Sequence, residues 1–390
     1  MGSIKDLLRN NVRQYGMLIA LVFIMLFFQV ATGGVLLVPM NVTNLVLQNA
    51  YVFILAIGMT LCILTGGNID LSVGSVVAFI GALSGTFIIT LDMGVGASIA
   101  LVLAVGLVIG VWQGFWIAYA RIPAFIVTLA GMLTFRGLTV FMLKGLTIGP
   151  FPESFQQISS GFVPDLIGGE ESLYNWTALA AGAALALLFV LSESIQRGYR
   201  RRNGYESLPL PLFAAKLALT VGVIALASYW LASYRGIPVI FIVIGTLVAA
   251  YSFLTTRTVP GRYLYAMGGN EKAAQLSGID TNRVLFLAYV NMGMLSAVAG
   301  IAVASRLNAA SPLAGQNFEL DAIAACYIGG ASASGGIGTI VGAIIGALVM
   351  GVLNNGMSIL GIGSDIQQFV KGMVLLLAVA FDVISKRRAR

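Results

Sequence analysis

Polar side chains able to do chemistry are few in this chain, and they sit at a handful of places. Asn68, Asp70 and Ser72 fall inside Gly66-Gly67-Asn68-Ile69-Asp70-Leu71-Ser72-Val73-Gly74-Ser75, which interrupts an apolar run. Glu319 and Asp321 open a second apolar stretch, Ser332 and Ser334 lie in the GGASASGG that ends it, and Asn354 and Asn355 stand near the end of a third. Amides and carboxylates at such places could accept and donate hydrogen bonds to hydroxyl groups. Each has a structural competitor. Asp70 suits the capping of a helix that starts at Leu71, which is the favoured reading, with Gly66, Gly67 and Gly74 permitting the break. Glu319 and Asp321 likewise sit at a helix start, where capping explains them.

Other chemistry is excluded by residue type. The chain has no histidine, so a His-based metal site or a His general base is impossible. Cys62 and Cys326 lie in apolar runs and read as small hydrophobes rather than a disulfide. No Gly-rich Lys-Ser/Thr phosphate loop is present, so ATP would have to be used elsewhere. Arg136 lies mid-run with Lys144 beyond it, close enough to an end to snorkel. Lys371, after Asp365, Gln367 and Gln368, reads as an interfacial anchor rather than an ion relay. Trp112, Phe115 and Phe135 could stack on a ring, but packing against lipid or helices is the stronger reading.

The elements that hold these groups follow from hydropathy. Of 390 residues, 58% are hydrophobic and only 9% charged, against about 25% charged in soluble domains. Apolar runs of the roughly 20 residues a bilayer requires recur along the whole length. They predict spans near 17–37, 44–64 (with Pro39 and Asn41 as a turn and Asn44 as cap), 74–90, 96–118 and 123–143. More follow near 173–192, 213–232, 237–254, 284–304, 337–357 and 366–383, with a short apolar segment at 320–334. The first is too long for a signal peptide and reads as a retained span. The expected fold is an all-α polytopic membrane protein with 10 to 12 transmembrane segments, some broken or re-entrant. Broken helices are allowed at that depth only where protein or a water-filled path covers the freed backbone. No soluble domain of useful size is apparent, so 1–390 reads as one transmembrane domain, whose energy source is an ion gradient or a separate subunit.

Charge sets an orientation. With the N-terminus inside, cytoplasmic positions hold 17 of the 22 Lys and Arg residues, including Lys5, Arg9 and Arg13, the run from Arg197 to Arg202, and four at the C-terminus. Lys144, Arg235 and Arg306 fall outside, and Arg136 and Lys371 within spans. This positive-inside bias places both termini in the cytoplasm, makes 194–212 a basic cytoplasmic loop, and makes 144–172, with Glu153, Asp165, Glu170 and Glu171, an extracytoplasmic one. The net charge of +7 follows the loops and implies no nucleic-acid partner. Residues 119–133 and 233–247 share a basic residue, Ile-Pro and Gly-x-Leu; an inverted repeat and a common way of starting a span both explain them.

The longest cytoplasmic polar stretch is 255–283. Asn270 can cap a short helix over 271–277, Glu271 sits at the favourable end of its dipole, and Gly278 suits a left-handed stop. Two helical turns are unstable alone, so this helix should dock on something; the competing reading is a solvated loop. The order Glu271-x-Ala273-Ala274-x-x-x-Gly278 resembles the coupling-loop signature of binding-protein-dependent, ATP-driven import permeases. Gly261-Arg262-x-x-Tyr265-Ala266-x-Gly268-Gly269-Asn270, Gly67 to Gly74, Glu319 to Ala325 and GGASASGGIGTIVGA resemble the monosaccharide branch of that family, most of all its xylose or multiple-monosaccharide permeases. The resemblance implies a subunit of a bacterial cytoplasmic (inner) membrane that hydrolyses no ATP and holds no cofactor. It implies pairing with a second permease copy, engagement of a cytoplasmic ATP-binding subunit through Gly268, Gly269, Asn270, Glu271, Ala273, Ala274 and Gly278, and receipt of sugar from an extracytoplasmic binding protein. The first half carries no equal copy of the coupling motif, which fits one main coupling loop per subunit.

Three other functions compete. An ion-coupled secondary transporter would use Asp70 and Asp321 as ion ligands at broken helices. An intramembrane enzyme would need a convergent nucleophile and base that the residue types do not supply. A purely structural subunit would be expected to keep its helices continuous.

Overall fold

The chain is described by a computed structural model over residues 12–169, 172–205 and 208–389, with the side chains of 12–15, 381 and 385–389 left aside. Lys5, Arg9, Glu170, Glu171 and Arg390 lie outside the described residues, and the side chains of Arg13, Lys386, Arg387 and Arg388 are not considered. Among the described residues the regular secondary structure is helical, apart from two isolated β-bridges, Ile148 with Ala310 and Phe162 with Pro238.

Fifteen helices follow in chain order: α1 Val12–Ala31, α2 Pro39–Leu64, α3 Val73–Gly85, α4 Val95–Gly114, α5 Ala124–Leu143, α6 Glu153–Ser160, α7 Trp176–Arg202, α8 Leu210–Ala232 and α9 Val239–Arg257. Then come α10 Val259–Gly269, α11 Glu271–Leu276, α12 Thr281–Leu307, α13 Phe318–Ile328, α14 Ile340–Ile359 and α15 Ser364–Ala389. π-Helical turns, Thr86–Thr90 and Phe115–Tyr119, extend α3 and α4. Among the described residues, ten helices are long and apolar enough to cross a membrane by length and composition. α13, with 11 residues, spans only about 16 Å and cannot cross alone as a helix.

Several boundaries differ from the sequence reading. α2 begins at Pro39, because a proline in the first helical turn gives up only an N–H that had no partner there; Asn44 is therefore inside the helix and is not its cap. Pro123 stands just before α5 as its N-cap, with φ −51° and ψ 131°. Most of 194–212 is helix rather than loop, since α7 runs on to Arg202. The 144–172 stretch contains α6, which buries Phe155 and Ser159.

Two compact units emerge. One comprises residues up to Leu36, Leu45–Ser160 and Ile240 onward; the other comprises Leu37–Asn44 and Gly161–Val239. In the larger unit, α2 and α12 are its most enclosed long helices together with the start of α3 and much of α14. Glycine makes their close approach possible. Gly106 and Gly110 of α4 face Ala297 and Val290 of α12, Gly58 of α2 faces Met292, and Gly300 of α12 lies against Ile80 of α3. A Cβ on Gly110 would stand 2.8 Å from the Val290 Cα, so the small residues set the interhelical distance. The core is then filled by Val76, Ile80, Leu83, Phe135, Phe155 and Ile301, among others. α6 is held on the end of α12, where the Ser305 hydroxyl donates to the Phe155 carbonyl (2.8 Å) and accepts from Ser159 N–H (3.0 Å).

In the smaller unit α7 packs on α8, with Gly182 against Ser228. Asn175 caps α7 by accepting from Ala178 N–H at 2.8 Å. Asp165 accepts from the Trp176 and Thr177 amides and the Thr177 hydroxyl, at 2.9, 3.1 and 2.8 Å. Desolvation works against the charged form there, yet these bonds and those from Gly168 and Ile167 hold its carboxyl below the usual carboxylate range.

Candidate functional site

Polar groups converge at three levels along the helices of the larger unit. The first is α10–α11. Asn270 extends its backbone (φ −159°) and its side chain accepts from Ala273 N–H at 3.0 Å. At the other end Gly278 takes φ +82°, Gly278 N–H bonds to the Gln275 carbonyl (2.9 Å) and Ile279 N–H to the Ala274 carbonyl (3.1 Å). This is a Schellman stop, and the two-turn helix expected from the sequence is formed. Ala274 alone turns inward, at 4% exposure, while Leu276 is 91% exposed.

α10 reaches both Gly-rich breaks. A Cβ on Gly268 would collide with the Leu64 carbonyl at the end of α2 and with the backbone of Gly336. Gly336 N–H donates to that same Leu64 carbonyl (3.1 Å), and the Tyr265 hydroxyl donates to the Gly338 carbonyl (2.9 Å). Gly67 abuts the Ala333 carbonyl, and Gly335 abuts Gly66. Gly66, Gly67, Gly335, Gly336 and Gly338 all have positive φ, so Cβ-bearing residues would be strained there as well as crowded. Ser332 and Ser334 belong to this level, their hydroxyls 2.9 Å apart, and Ala333 N–H bonds to Asp382 at 3.3 Å.

The second level is where the first break meets the segment that leads into α13. Asp70 Oδ1 accepts from Ser72 N–H (2.8 Å) and the Ser72 hydroxyl (2.6 Å), and Gln113 donates to Ser72 Oγ at 2.7 Å. Asp70 therefore secures the backbone immediately before α3. Asn68 donates to the Thr65 carbonyl (3.2 Å). Gly74 and Gly315 press their backbones together, with the Glu319 carboxylate alongside.

Asp321 departs from the capping expectation. It is 1% exposed, accepts from the Tyr51 hydroxyl at 2.6 Å, and pairs with Lys371 Nζ at 3.0 Å from Oδ1 and 3.1 Å from Oδ2. Lys371 thus points inward to a carboxylate instead of anchoring at an interface. Arg136 does not snorkel either: its guanidinium donates to the Pro312 and Ala314 carbonyls at 3.0 and 2.7 Å, fixing the segment before α13.

These contacts are reciprocal. Ala50-Tyr51-Val52 in α2 recurs as Ala288-Tyr289-Val290 in α12, and Gly66-Gly67-Asn68-Ile69-Asp70-Leu71-Ser72 resembles Gly315-Gln316-Asn317-Phe318-Glu319-Leu320-Asp321. Tyr51 bonds to Asp321 of the second motif, and Tyr289 donates to the Ile69 carbonyl of the first at 3.2 Å. The exchange is consistent with an inverted repeat, related through α2 and α12. The segments singled out from sequence, 119–133 and 233–247, instead lead into α5 and α9.

The third level is toward the other end of α2 and α14. Asn354 Nδ2 donates to Asn49 Oδ1 (3.0 Å), and Asn355 Nδ2 lies 3.5 Å from Gln48 Oε1. Asn354 and Asn355 therefore sit far along α14 from Ser332 and Ser334, and the sequence-derived residues form no single site. Tyr51, Tyr289, Gln113 and Asp382 were not singled out; the repeated Ala-Tyr-Val triplet was the available signal for the two tyrosines.

Comparison with known proteins bears on this arrangement. Residues 41–379 match the family model described as branched-chain amino acid transport system / permease component. The xylose transport system permease protein of Haemophilus influenzae is 40% identical over 97% of this chain and 98% of its own length. That of Escherichia coli K12 is 39% identical over 100% and 96%, and the ribose import permease protein of the same strain is 35% identical over 88% and 85%. No solved structure matches the chain. The all-helical, multi-pass architecture with its abutting helix breaks and these full-length similarities establish that the chain belongs to the family of bacterial ABC sugar-importer permeases, in its xylose/ribose branch.

Proposed function

We propose that this chain is the membrane-spanning subunit of an ATP-driven, binding-protein-dependent importer of a monosaccharide, xylose or a related pentose. The observation that carries the reading is α10–α11, a capped element that offers Leu276 to a partner on one side and rests through Gly268 on both helix breaks on the other. A force applied at α11 reaches the Leu64–Gly336 junction through direct backbone contact. In this reading α11 faces the cytoplasm with both termini, a separate ATP-binding subunit drives it, a second copy of the chain completes the path, and an extracytoplasmic binding protein delivers the sugar. The 39–40% identity with permeases of xylose transport systems supports the sugar class.

The test is uptake of labelled xylose and ribose by vesicles holding the chain with its ATPase and binding protein. Uptake that follows ATP and ignores ionophores supports the proposal; uptake that survives ATP depletion and collapses with the ion gradient establishes the secondary-transport reading. Gly278→Val tests the coupling element separately. Nothing lies within 4 Å of a Cβ there, so the variant acts through its +82° φ, a conformation costing about 1–2 kcal/mol for a residue with a Cβ. The expected result is normal membrane insertion, with ATP-dependent uptake reduced about tenfold; undiminished uptake would reject the assignment.

A further inference from the structure

A shallow cavity of about 250 Å³, open to the surface, lies among α2, α12, α14 and α15 and is lined almost wholly by polar side chains, among them Gln48, Arg306, Asn354, Ser358, Gln367 and Lys371. It shares Gln48, Tyr51 and Arg306 with a smaller, largely apolar recess of about 70 Å³ whose wall includes the ring of Phe318. Gln48 precedes Leu64 by 16 residues of continuous helix, so the cavity lies roughly 24 Å along α2 from the junction with α10. It sits where α12 ends and where α14 turns into α15.

The lining is specific in character. The Ser358 hydroxyl gives its hydrogen to the Asn354 backbone carbonyl, and Gln367 gives one N–H to the Ile362 carbonyl. That leaves lone pairs on Ser358 and a second N–H and the oxygen of Gln367, so the lining still offers both the donors and the acceptors that a ring of hydroxyl groups requires. Lys371 is neutralised by Asp321 at the floor. Among the described residues Arg306 has no ion-pair partner, so the cavity carries a net positive charge that repels inorganic cations. Asn354 Oδ1 is buried and accepts no hydrogen bond among the described residues, while its amide nitrogen is committed to Asn49. Turned into the cavity, that unmatched acceptor would meet a ligand hydroxyl. Tyr51 and Phe318 stack at 3.5 Å between centroids and 14° between planes, giving the recess a rigid aromatic wall for C–H surface.

We propose that this cavity is the docking station for a neutral polyhydroxylated sugar on the outward side of the path, with Gln48, Asn354, Gln367 and Arg306 meeting its hydroxyls and the Tyr51–Phe318 wall meeting its carbon face. The inference rests on the importer reading for the side from which sugar enters. It also assigns a selectivity that reading does not contain: pentoses enter, while amino sugars and metal cations are turned away by Arg306.

Thiol protection in the intact complex tests it. Ser358→Cys or Gln367→Cys is introduced into the full chain, whose native Cys62 and Cys326 are both buried, and labelled with a membrane-impermeant maleimide from the binding-protein side. The expected outcome is labelling slowed at least about fivefold by millimolar D-xylose, less by glucosamine, and not by sucrose. Absence of labelling at both positions, or labelling that no pentose slows, overturns the station; protection by xylonate rather than xylose overturns its neutral-sugar assignment. In parallel, Asn354→Leu and Gln367→Leu should each raise the half-saturating concentration of sugar-loaded binding protein or slow uptake by about threefold to tenfold, the worth of one net hydrogen bond. Tyr251→Phe, which removes a hydrogen bond to Asn291 outside the cavity, serves as control. Loss of ATP dependence in the unmodified complex is failure of the importer reading, whereas protection failing in a complex that still imports xylose is failure of the station alone.

Discussion

At the scale of the residue, the decisive group is Asp321. A carboxylate at 1% exposure is tolerable only because Lys371 and Tyr51 supply three short contacts to its two oxygens. Removing one partner leaves an uncompensated charge, a loss of about 3–5 kcal/mol for buried pairs, whereas removing both charges together is often nearly neutral. Lys371→Met should therefore sharply lower the yield and detergent melting temperature of the purified chain. Adding Asp321→Asn should restore most of both, because the neutral amide can still bond to Tyr51. Equal damage in the single and double variants would show that the ammonium itself, rather than charge balance, is what the site needs. None of this is visible from either residue's neighbours in sequence. Asp321 is 50 positions from Lys371 and 270 from Tyr51, and a carboxylate in a first helical turn reads as a cap until the partner from another helix is known. Asp70 differs because its partners, Ser72 N–H and Oγ, are two residues away, and local bonding of that kind follows from the local sequence.

Among the elements, α10 does what the polar stretch 255–283 only hinted at. The caps of α11 were legible because Asn270 and Gly278 act within one turn of themselves. The helix before it was not, since its role depends on Gly268 meeting Leu64 and Gly336, some 200 and 70 residues distant. The neighbouring Gly269 provides an internal contrast: a Cβ there has nothing within 4 Å, while a Cβ on Gly268 would strike two backbones that cannot rotate away. Gly268→Ala should cut ATP-coupled uptake at least about tenfold, a shift of about 1.4 kcal/mol in the conformational step, and Gly269→Ala should stay within about twofold. Uptake and ATP hydrolysis in vesicles measure both. Equal loss in the two variants would mean that flexibility of the Gly-Gly pair matters and close packing does not. The span boundaries were legible for a related reason, since apolar length is a local property. The inverted relation of α2 and α12 was harder, because its strongest evidence, crossed hydrogen bonds from Tyr51 and Tyr289, exists only in three dimensions.

For the molecule as a whole, the larger unit is built asymmetrically along its helices. Toward one end, polar side chains surround a cavity; toward the other, six glycines from three segments close backbone on backbone, and Ser332 is fully buried. On the proposed function, such a distribution is that of a path open at the cavity end and shut at the glycine end, with the Asp70–Ser72 group between them. Alternating access then requires the glycine junction to part while the cavity narrows, and a junction made of backbone contacts without bulky knobs can separate without extracting side chains from a core. Its hydrogen bonds, Gly336 to Leu64 and Tyr265 to Gly338, would be exchanged for water as it opens, so the net cost per bond is about 1 kcal/mol, within reach of a nucleotide-driven partner. A thiol at the junction reports the motion. In Ser334→Cys, alkylation from the α11 side should be slow in the resting complex and rise at least about tenfold when ATP and sugar-loaded binding protein are both present, with Ser358→Cys on the far side changing in the opposite sense. Parallel changes at the two positions would mean that the chain breathes as one body, and the outward and inward ends would not then be alternately opened.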